Sequence, residues 1–155
     1  MMPDLLMAEI KQFGARQAGL VYKPRVGAYG ILLHEGRIAC AQIGYTKFAY
    51  DLPGGALDPG ETPEQAVVRE FLEETGLEVA VGRQVTQIDH YFVHDDGTPY
   101  NNRCHFYEVE MRAHRPAAKT ELDHELVWLP PLEVIKRLKN EGYAWAMVLW
   151  LRAMR

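Results

Sequence analysis

Cysteine is scarce in this sequence of 155 residues, which contains only Cys40 and Cys104. Both lie in apolar, strand-like runs. One possible disulfide is weak evidence for secretion, so we expect two buried, reduced thiols. Residues 1–14 have no basic segment ahead of an apolar core, which argues against a signal peptide. We therefore expect a cytoplasmic protein.

Extended apolar stretches are also missing. The most apolar segment, 143–151, is far shorter than the roughly 20 residues that a membrane-spanning helix requires. Acidic residues outnumber basic ones, which gives a net charge of −4. This balance argues against a broad nucleic-acid surface but is compatible with a small phosphorylated ligand. Repeats and linkers are absent, so we predict a single domain over 1–155, with 1–20 a possible leading helix or arm.

The most informative stretch is 54–77, which reads GGALDPGETPEQAVVREFLEETGL. A glycine loop and a second turn lead into a helix whose two ends are both marked. Thr62 is a good N-cap, and Gln65 completes a capping box. Pro63 suits the first helical position, and Gly76 suits a left-handed C-terminal position.

The helix has two contrasting faces at roughly 100° per residue. The apolar side is expected to pack into the core and contains Val67, Val68, Phe71 and Leu72. The opposite side carries Ala66, Glu70, Glu73 and Glu74, with Arg69 at the boundary. Like charges on adjacent turns repel one another, and a hard cation such as Mg²⁺ would convert that repulsion into coordination. A solvated acidic face is the alternative, but the glycine loop and the capped helix favour a metal site.

The charged and glycine positions of this stretch resemble the Nudix box, the signature of the Nudix hydrolases. The matching residues are Gly55, Glu61, Arg69, Glu70, Glu73, Glu74 and Gly76. Phe71 departs from the pattern, because an aliphatic residue is usual there. The resemblance implies an α+β fold, a mixed β-sheet sandwiched between helices. It also implies cleavage of a pyrophosphate bond in a nucleoside triphosphate or a nucleoside diphosphate linked to another group.

The resemblance further implies a divalent cofactor, Mg²⁺ or Mn²⁺, and a small nucleotide as the binding partner. Its metal ligands would be Glu70, Glu73, Glu74 and the carbonyl of Gly55, with Arg69, Glu70 and Glu73 catalytic. We expect the substrate to contact Arg25, Tyr29, Tyr50 and Gly54. Two other functions stay open, a nucleotide-sensing module without hydrolysis and an isomerase-type relative.

The general base is predicted separately, because metal ions would occupy the helix glutamates. The acidic segment 121–125 contains two candidates, Glu121 and Glu125. We choose Glu125 because it adjoins a strand and can be held more rigidly. If Glu125 is not the base, the role of general base passes to Glu121 or to Glu70.

The flanking sequence predicts elements of both kinds. A helix is expected over 5–13, a hairpin over 26–33 and 37–42, and strands over 77–93, 104–111 and 125–129. Helices are expected over 132–140 and 143–154. The last helix is apolar on most sides, which fits either core packing or a homodimer contact. His90 and His94 are four apart on a strand, a spacing that does not favour a zinc site.

Overall fold

The computed structural model describes residues 10–44 and 50–154. Within these ranges the chain forms eight strands and three α-helices. The strands are β1 (Lys11–Phe13), β2 (Lys23–His34), β3 (Arg37–Ile43), β4 (Tyr50–Asp51), β5 (Gly54–Ala56), β6 (Leu77–Val93), β7 (Pro99–His114) and β8 (His124–Leu129). The helices are α1 (Pro63–Thr75), α2 (Pro131–Arg137) and α3 (Glu141–Ala153), and Pro116–Ala118 form a 3-10 turn.

The strands form one mixed sheet, as predicted. Its main path runs β1-β6-β7-β2-β3-β4, and β5 and β8 pair with β2 and β3. The β2–β7 and β1–β6 pairs are parallel, whereas the other pairs are antiparallel. The short strand β5 lies beside residues 27–29 of β2. This pairing fixes the glycine loop against the centre of the sheet.

Helices cover both faces of the sheet and produce two core layers. On one face α1 packs over a cluster that includes Leu32, Phe71 and Val109. On the other face α2 and α3 pack over a cluster that includes Phe106 and Met147. The last helix buries Tyr143, Ala146, Met147 and Trp150, so core packing of this face is confirmed. The homodimer contact stays a prediction.

The ends of α1 agree with the sequence. Thr62 Oγ1 accepts a hydrogen bond from the Gln65 N–H, and the Gln65 side chain accepts one from the Thr62 N–H. Gly76 ends the helix in the left-handed region with φ of 77°. The capping box and the C-terminal glycine are therefore confirmed.

The buried face of α1 is rotated from the predicted one. Ala66, Val67, Phe71 and Glu74 are buried, whereas Val68 and Leu72 are only partly buried. Ala66 and Glu74, predicted to lie opposite the packing face, are therefore part of the buried surface. The apolar pattern of the helix alone did not show that the glycine loop covers its carboxylate side.

Phe71 packs where the sheet has no side chain. A Cβ at Gly30 would lie 2.4 Å from Phe71 Cε2, so β2 can accommodate the ring only because residue 30 is glycine. Phe71 has no exposed surface. The aromatic residue at an aliphatic position is therefore matched by a gap in the opposing strand.

Several boundaries differ from the sequence predictions. Residues 11–13 form a strand rather than the end of a helix, while 1–9 lie outside the described residues. Strand β7 spans Pro99–His114, so it begins five residues before the strand predicted over 104–111. Cys40 and Cys104 are buried free thiols, as expected. None of the described helices is long and apolar enough to cross a membrane.

Candidate active site

Arg69 ties the loop before α1 to the helix itself. Its Nε and Nη2 donate to the two carboxylate oxygens of Glu61, both at 2.8 Å. Its Nη2 also donates to the Ala56 carbonyl at 3.1 Å. The Glu61 carboxylate in turn accepts the Asp58 N–H at 2.9 Å. This bidentate pair fixes the turn 57–61 and so sets the position of β5 relative to α1.

The same guanidinium contacts two of the three glutamates predicted as metal ligands. Arg69 Nη1 donates to Glu70 Oε1 at 2.9 Å and to Glu73 Oε2 at 3.1 Å. These contacts neutralise part of the carboxylate repulsion. They also hold Glu73 on the Arg69 side of the helix, away from the buried Glu74.

Glu70 and Glu74 face the glycine loop. The Gly54 N–H donates to Glu74 Oε2 at 3.4 Å. A Cβ at residue 55 would lie 2.8 Å from Glu70 Oε1, so this strand position must be glycine for Glu70 to approach. Gly54 has φ of 150°, a conformation that also favours glycine. The loop and the helix are therefore mutually fitted at the predicted metal site.

The carboxyl groups differ sharply in their proton affinity. Burial, followed by the charge of Glu70, raises the pKa of Glu74 to about 10. Burial also raises the pKa of Glu70, and the two carboxyls share a hydrogen bond. By contrast, hydrogen bonds from Arg69 lower the pKa of Glu61 to about 2. Arg69 thus holds Glu61 as an anion, whereas burial and mutual repulsion disfavour the charged forms of Glu70 and Glu74.

Such a pair fits a divalent cation. Carboxylate oxygens are hard donors, and a cation would offset the repulsion between the two groups. The three glutamates do not already form a compact ligand set. Among the described residues, the group of three whose ligand atoms all lie within 4.8 Å consists of Glu121, Asp123 and His124. The Glu73 Oε2 atom accepts from Arg69, which leaves its Oε1 atom as the oxygen that could ligate a cation.

A recess opens beside β5 on the sheet face that α2 and α3 cover. Its volume is about 140 Å³, and its lining includes Arg25, Gly27, Tyr29, Gly55, Asn102 and Cys104. Arg25 and Tyr29, both predicted to contact substrate, therefore lie together next to Gly55. The Gly55 carbonyl oxygen would lie 3.3 Å from a Cβ at Gly27, which places that oxygen at the recess.

Tyr50 was predicted to contact substrate, but the structure places it in the core. Its ring is 8% exposed within the cluster under α2 and α3, and it does not line the recess. The guanidinium of Arg137 lies 5.7 Å from the centre of the ring. Its ring therefore packs between the sheet and α2 and not at the recess, and its contact with substrate stays a prediction.

The placement of Glu125 argues against its predicted role as general base. Leu126 and Trp128 pack on the α1 side of the sheet, whereas Val127 and Leu129 pack on the α2 and α3 side. Because side chains alternate along a strand, Glu125 belongs to the side opposite α1. It is also exposed. The structure therefore does not bring Glu125 to the carboxylates of α1.

The segment before β8 approaches α1 by a different route. The N–H groups of Thr120 and Glu121 both donate to the Glu73 carbonyl at 2.9 Å. The backbone of Glu121 is thus attached to the C-terminal part of α1. Of the two acidic residues considered, Glu121 is the one that the fold brings to this helix.

A family model described as the NUDIX domain matches residues 21–151. The chain belongs to the NUDIX family. The match covers both core layers, the glycine loop and α1, so the resemblance seen in 54–77 extends to nearly the whole chain.

Curated relatives match over shorter stretches. A protein of Bacillus subtilis named "Putative 8-oxo-dGTP diphosphatase" is 42% identical over 59 residues, 38% of this chain and 40% of the relative. The "Putative mutator protein MutT4" of Mycobacterium tuberculosis is 32% identical over 92 residues, 59% of this chain and 37% of the relative. The matched regions thus span about two fifths of the length of these relatives.

Solved structures share the NUDIX fold. A NUDIX hydrolase from Nitrosomonas europaea superimposes with a TM-score of 0.71 and 19% identity, covering 86% of this chain and 92% of that chain. The MutT protein from Methanosarcina mazei Go1 superimposes with a TM-score of 0.69 and 19% identity, covering 88% of this chain and 99% of that chain. At this identity the likeness establishes the fold alone.

Sequence reasoning missed Asn102 and Cys104 as lining residues. Their position follows from the parallel pairing of β2 with β7, which places Asn102 beside Arg25 and Cys104 beside Gly27. Nothing in the local sequence specifies that register. The strand-like pattern of 104–111 indicated a strand but not its neighbour.

Proposed function

We propose that this NUDIX protein cleaves a pyrophosphate bond in a nucleoside triphosphate or a related nucleoside diphosphate derivative, using Mg²⁺ or Mn²⁺. The observation that carries the proposal is the buried Glu70–Glu74 pair, which the Arg69–Glu61 contact holds against Gly55. The curated relatives named as a diphosphatase and as an RNA pyrophosphohydrolase point to the same bond. The sensing module is not favoured by any of these observations.

Each residue of the site has a separate proposed role. A divalent ion held by Glu70, Glu73, Glu74 and the Gly55 carbonyl would neutralise the phosphates and acidify a bound water. Arg69 orients Glu70 and Glu73 and keeps the loop in place. Because Glu125 lies on the other face, we assign proton acceptance from water to Glu70 rather than to Glu121, the two alternatives that the sequence left open. One oxygen of the Glu70 carboxylate would hold the ion, and the other would accept the proton.

The test is incubation with a panel of nucleoside triphosphates and sugar nucleotides in Mg²⁺, with separate measurement of phosphate and pyrophosphate. Turnover should disappear with a chelator and return with Mg²⁺ or Mn²⁺. Glu73→Gln and Glu74→Gln should nearly abolish it without unfolding the protein. Turnover that persists fully in chelator would overturn the proposal.

The assignment of the base has its own comparison. Glu70→Gln should lower kcat by roughly 10²–10⁴-fold, the usual contribution of a general base. Glu125→Gln is the matched variant on the opposite face and should retain near wild-type kcat. Loss of kcat in Glu125→Gln alone would return the role to that residue.

A further inference from the structure

A hydrogen bond between two side chains joins strand β6 to the start of α3. His90 Nδ1 lies 3.2 Å from Asn140 Nδ2. Asn140 is the N-cap of α3, and its Oδ1 accepts the Gly142 N–H at 2.8 Å and the Tyr143 N–H at 3.4 Å. One amide side chain therefore both caps the helix and contacts the histidine.

The helix cap determines which atom donates in this contact. Because Asn140 Oδ1 accepts the two backbone N–H groups, the amide turns its NH₂ group towards His90. An NH₂ group only donates, so His90 Nδ1 accepts, and the neutral ring carries its hydrogen on Nε2. Protonation would place a second N–H on Nδ1, and two donors would then face each other. The contact is therefore compatible with neutral His90 alone.

The surroundings of His90 also favour its neutral form. The ring is half-buried, and burial lowers its pKa from the usual 6.5, although the charge of Glu141 acts in the opposite direction. The ring faces the N-terminus of α3, where the helix dipole disfavours a cation. The residues paired with His90 in β1 and β7 are Phe13 and Asn102, neither of which titrates. His90 lines a cavity of about 540 Å³ whose other titratable groups are Asp51, Lys139, Glu141 and Tyr143.

The first turn of α3 supports the recess beside β5. The Tyr143 ring packs on Tyr29 with 4.6 Å between the ring centres, and on Phe106 with 5.5 Å. Tyr29 in turn lines the recess. Loss of the Asn140 cap would free the N–H groups that hold this turn in place, so the support of Tyr29 depends on the contact with His90.

We propose that His90 and Asn140 form a pH-sensitive latch, which holds the first turn of α3 against β6 while His90 is neutral and releases it when His90 is protonated. This inference goes beyond the proposed hydrolysis and does not depend on it. In the unfolded chain His90 regains its ordinary proton affinity, so the unfolded state binds the proton more readily. The stability that the latch contributes is therefore complete above about pH 6.5 and is lost as the pH falls below that value.

Nuclear magnetic resonance of the full-length, ¹⁵N-labelled protein tests the latch directly. At about pH 8 the His90 ring should carry its hydrogen on Nε2 with Nδ1 as an acceptor. As His90 titrates towards about pH 5, the hydrogen-exchange protection factors of the Gly142 and Tyr143 amides should fall at least about 10-fold at the same midpoint. A hydrogen on Nδ1 at pH 8, or protection that stays constant while His90 titrates, would overturn the inference.

His105 provides a comparison within the same titration. Its Nδ1 lies 3.1 Å from Gln84 Nε2, which is also a contact between a ring nitrogen and an amide NH₂ group. Gln84 lies in β6 and caps no helix, so protonation of His105 should leave the Gly142 and Tyr143 amides unchanged. Protection that follows the midpoint of His105 instead of that of His90 would contradict the latch.

Variants separate the latch from the carboxyl groups around it. His90→Gln keeps a possible acceptor but cannot titrate, so the protection of the two amides should no longer change with pH. Asn140→Asp keeps the cap and presents a carboxylate to His90, so the pKa of His90 should rise above its wild-type value and protection should no longer fall when the ring is protonated.

Asp51→Asn is the control, because burial raises the pKa of Asp51 and this residue lines the same cavity. Its transition should match that of the wild type. A transition that persists in His90→Gln but disappears in Asp51→Asn would assign the effect to Asp51 and overturn the latch. None of these measurements uses turnover, so failure of the latch and failure of the proposed hydrolysis are distinguishable.

Discussion

At the scale of single residues, Arg69 determines how the acidic groups behave. It gives Glu61 two hydrogen bonds and Glu70 and Glu73 one each. The sequence placed Arg69 at the boundary of the acidic face, and the resemblance implied a catalytic role for it. It could not show that Glu61, eight residues earlier, is its bidentate partner, because that contact depends on the path of the turn between them.

The Glu61–Arg69 contact predicts a specific dependence of stability on pH. The folded-state pKa of Glu61 lies near 2, below its ordinary value of 4.5. Its contribution to stability is therefore complete above pH 4.5 and is lost as the pH falls towards 2. Glu61→Gln should be less stable by roughly 1–3 kcal/mol at pH 7, with the difference narrowing below pH 4.

Urea denaturation at several pH values measures that difference. The exposed Glu110, whose carboxylate lies 3.6 Å from Arg112, provides a control. Glu110→Gln should stay within about 0.5 kcal/mol of wild type throughout. A gap for Glu61→Gln that is the same at pH 3 and pH 7 would show that ionisation of Glu61 is not the source of its stabilisation.

At the scale of elements, the ends of α1 were predictable and its orientation was not. Caps are local, since Thr62, Gln65 and Gly76 each act within one turn of the helix. The buried face depends on what covers the helix, and here a glycine loop covers Glu70 and Glu74. This cover comes from a segment distant in the sequence, and the Gly54 N–H of that segment donates to Glu74.

The fit between α1 and β2 predicts coupling between Phe71 and Gly30. Phe71→Ala should cost roughly 3–5 kcal/mol, because the ring is fully buried. Gly30→Ala should cost roughly 1–3 kcal/mol, because the new methyl group overlaps the ring. The smaller Phe71→Leu change makes room for the new methyl group. The Phe71→Leu, Gly30→Ala double variant should therefore lose less free energy of unfolding than Phe71→Leu and Gly30→Ala lose separately, added together.

Denaturation midpoints of the four proteins in this cycle give the coupling free energy. Gly142 provides a comparison, since a Cβ there would meet Ile88 Cδ1 on the other face of the sheet. Gly142→Ala should be additive with Phe71→Leu. Additivity for Gly30→Ala and Phe71→Leu would mean that the ring can shift without cost.

At the scale of the whole molecule, the class of fold was predictable and the pairing of strands was not. The motif in 54–77 implied a mixed sheet between helices, and the structure has that architecture. The parallel ladder joins residues 23–32 to 100–109, segments whose partners are set by the packing of the entire sheet. The lining of the recess, including the position of Asn102, depends on this strand pairing. It could therefore be recognised only from the structure.

Stability of the whole chain should respond to divalent metal. A ligand that binds the folded state alone stabilises it by about 2.7 kcal/mol at 100 times its dissociation constant. In a domain of this size that corresponds to a rise in Tm of roughly 5–10 °C. The buried Glu70–Glu74 pair predicts such a rise on adding Mg²⁺ or Mn²⁺ to chelator-treated protein, measured by thermal unfolding.

Glu74→Gln resembles the protonated carboxyl in shape, so its metal-free Tm should be close to that of the wild type while the metal-induced rise is largely lost. An equal rise in both proteins would place the bound metal away from Glu74, for example at Glu121, Asp123 and His124, and Glu121→Gln would then remove the rise that Glu74→Gln had left intact.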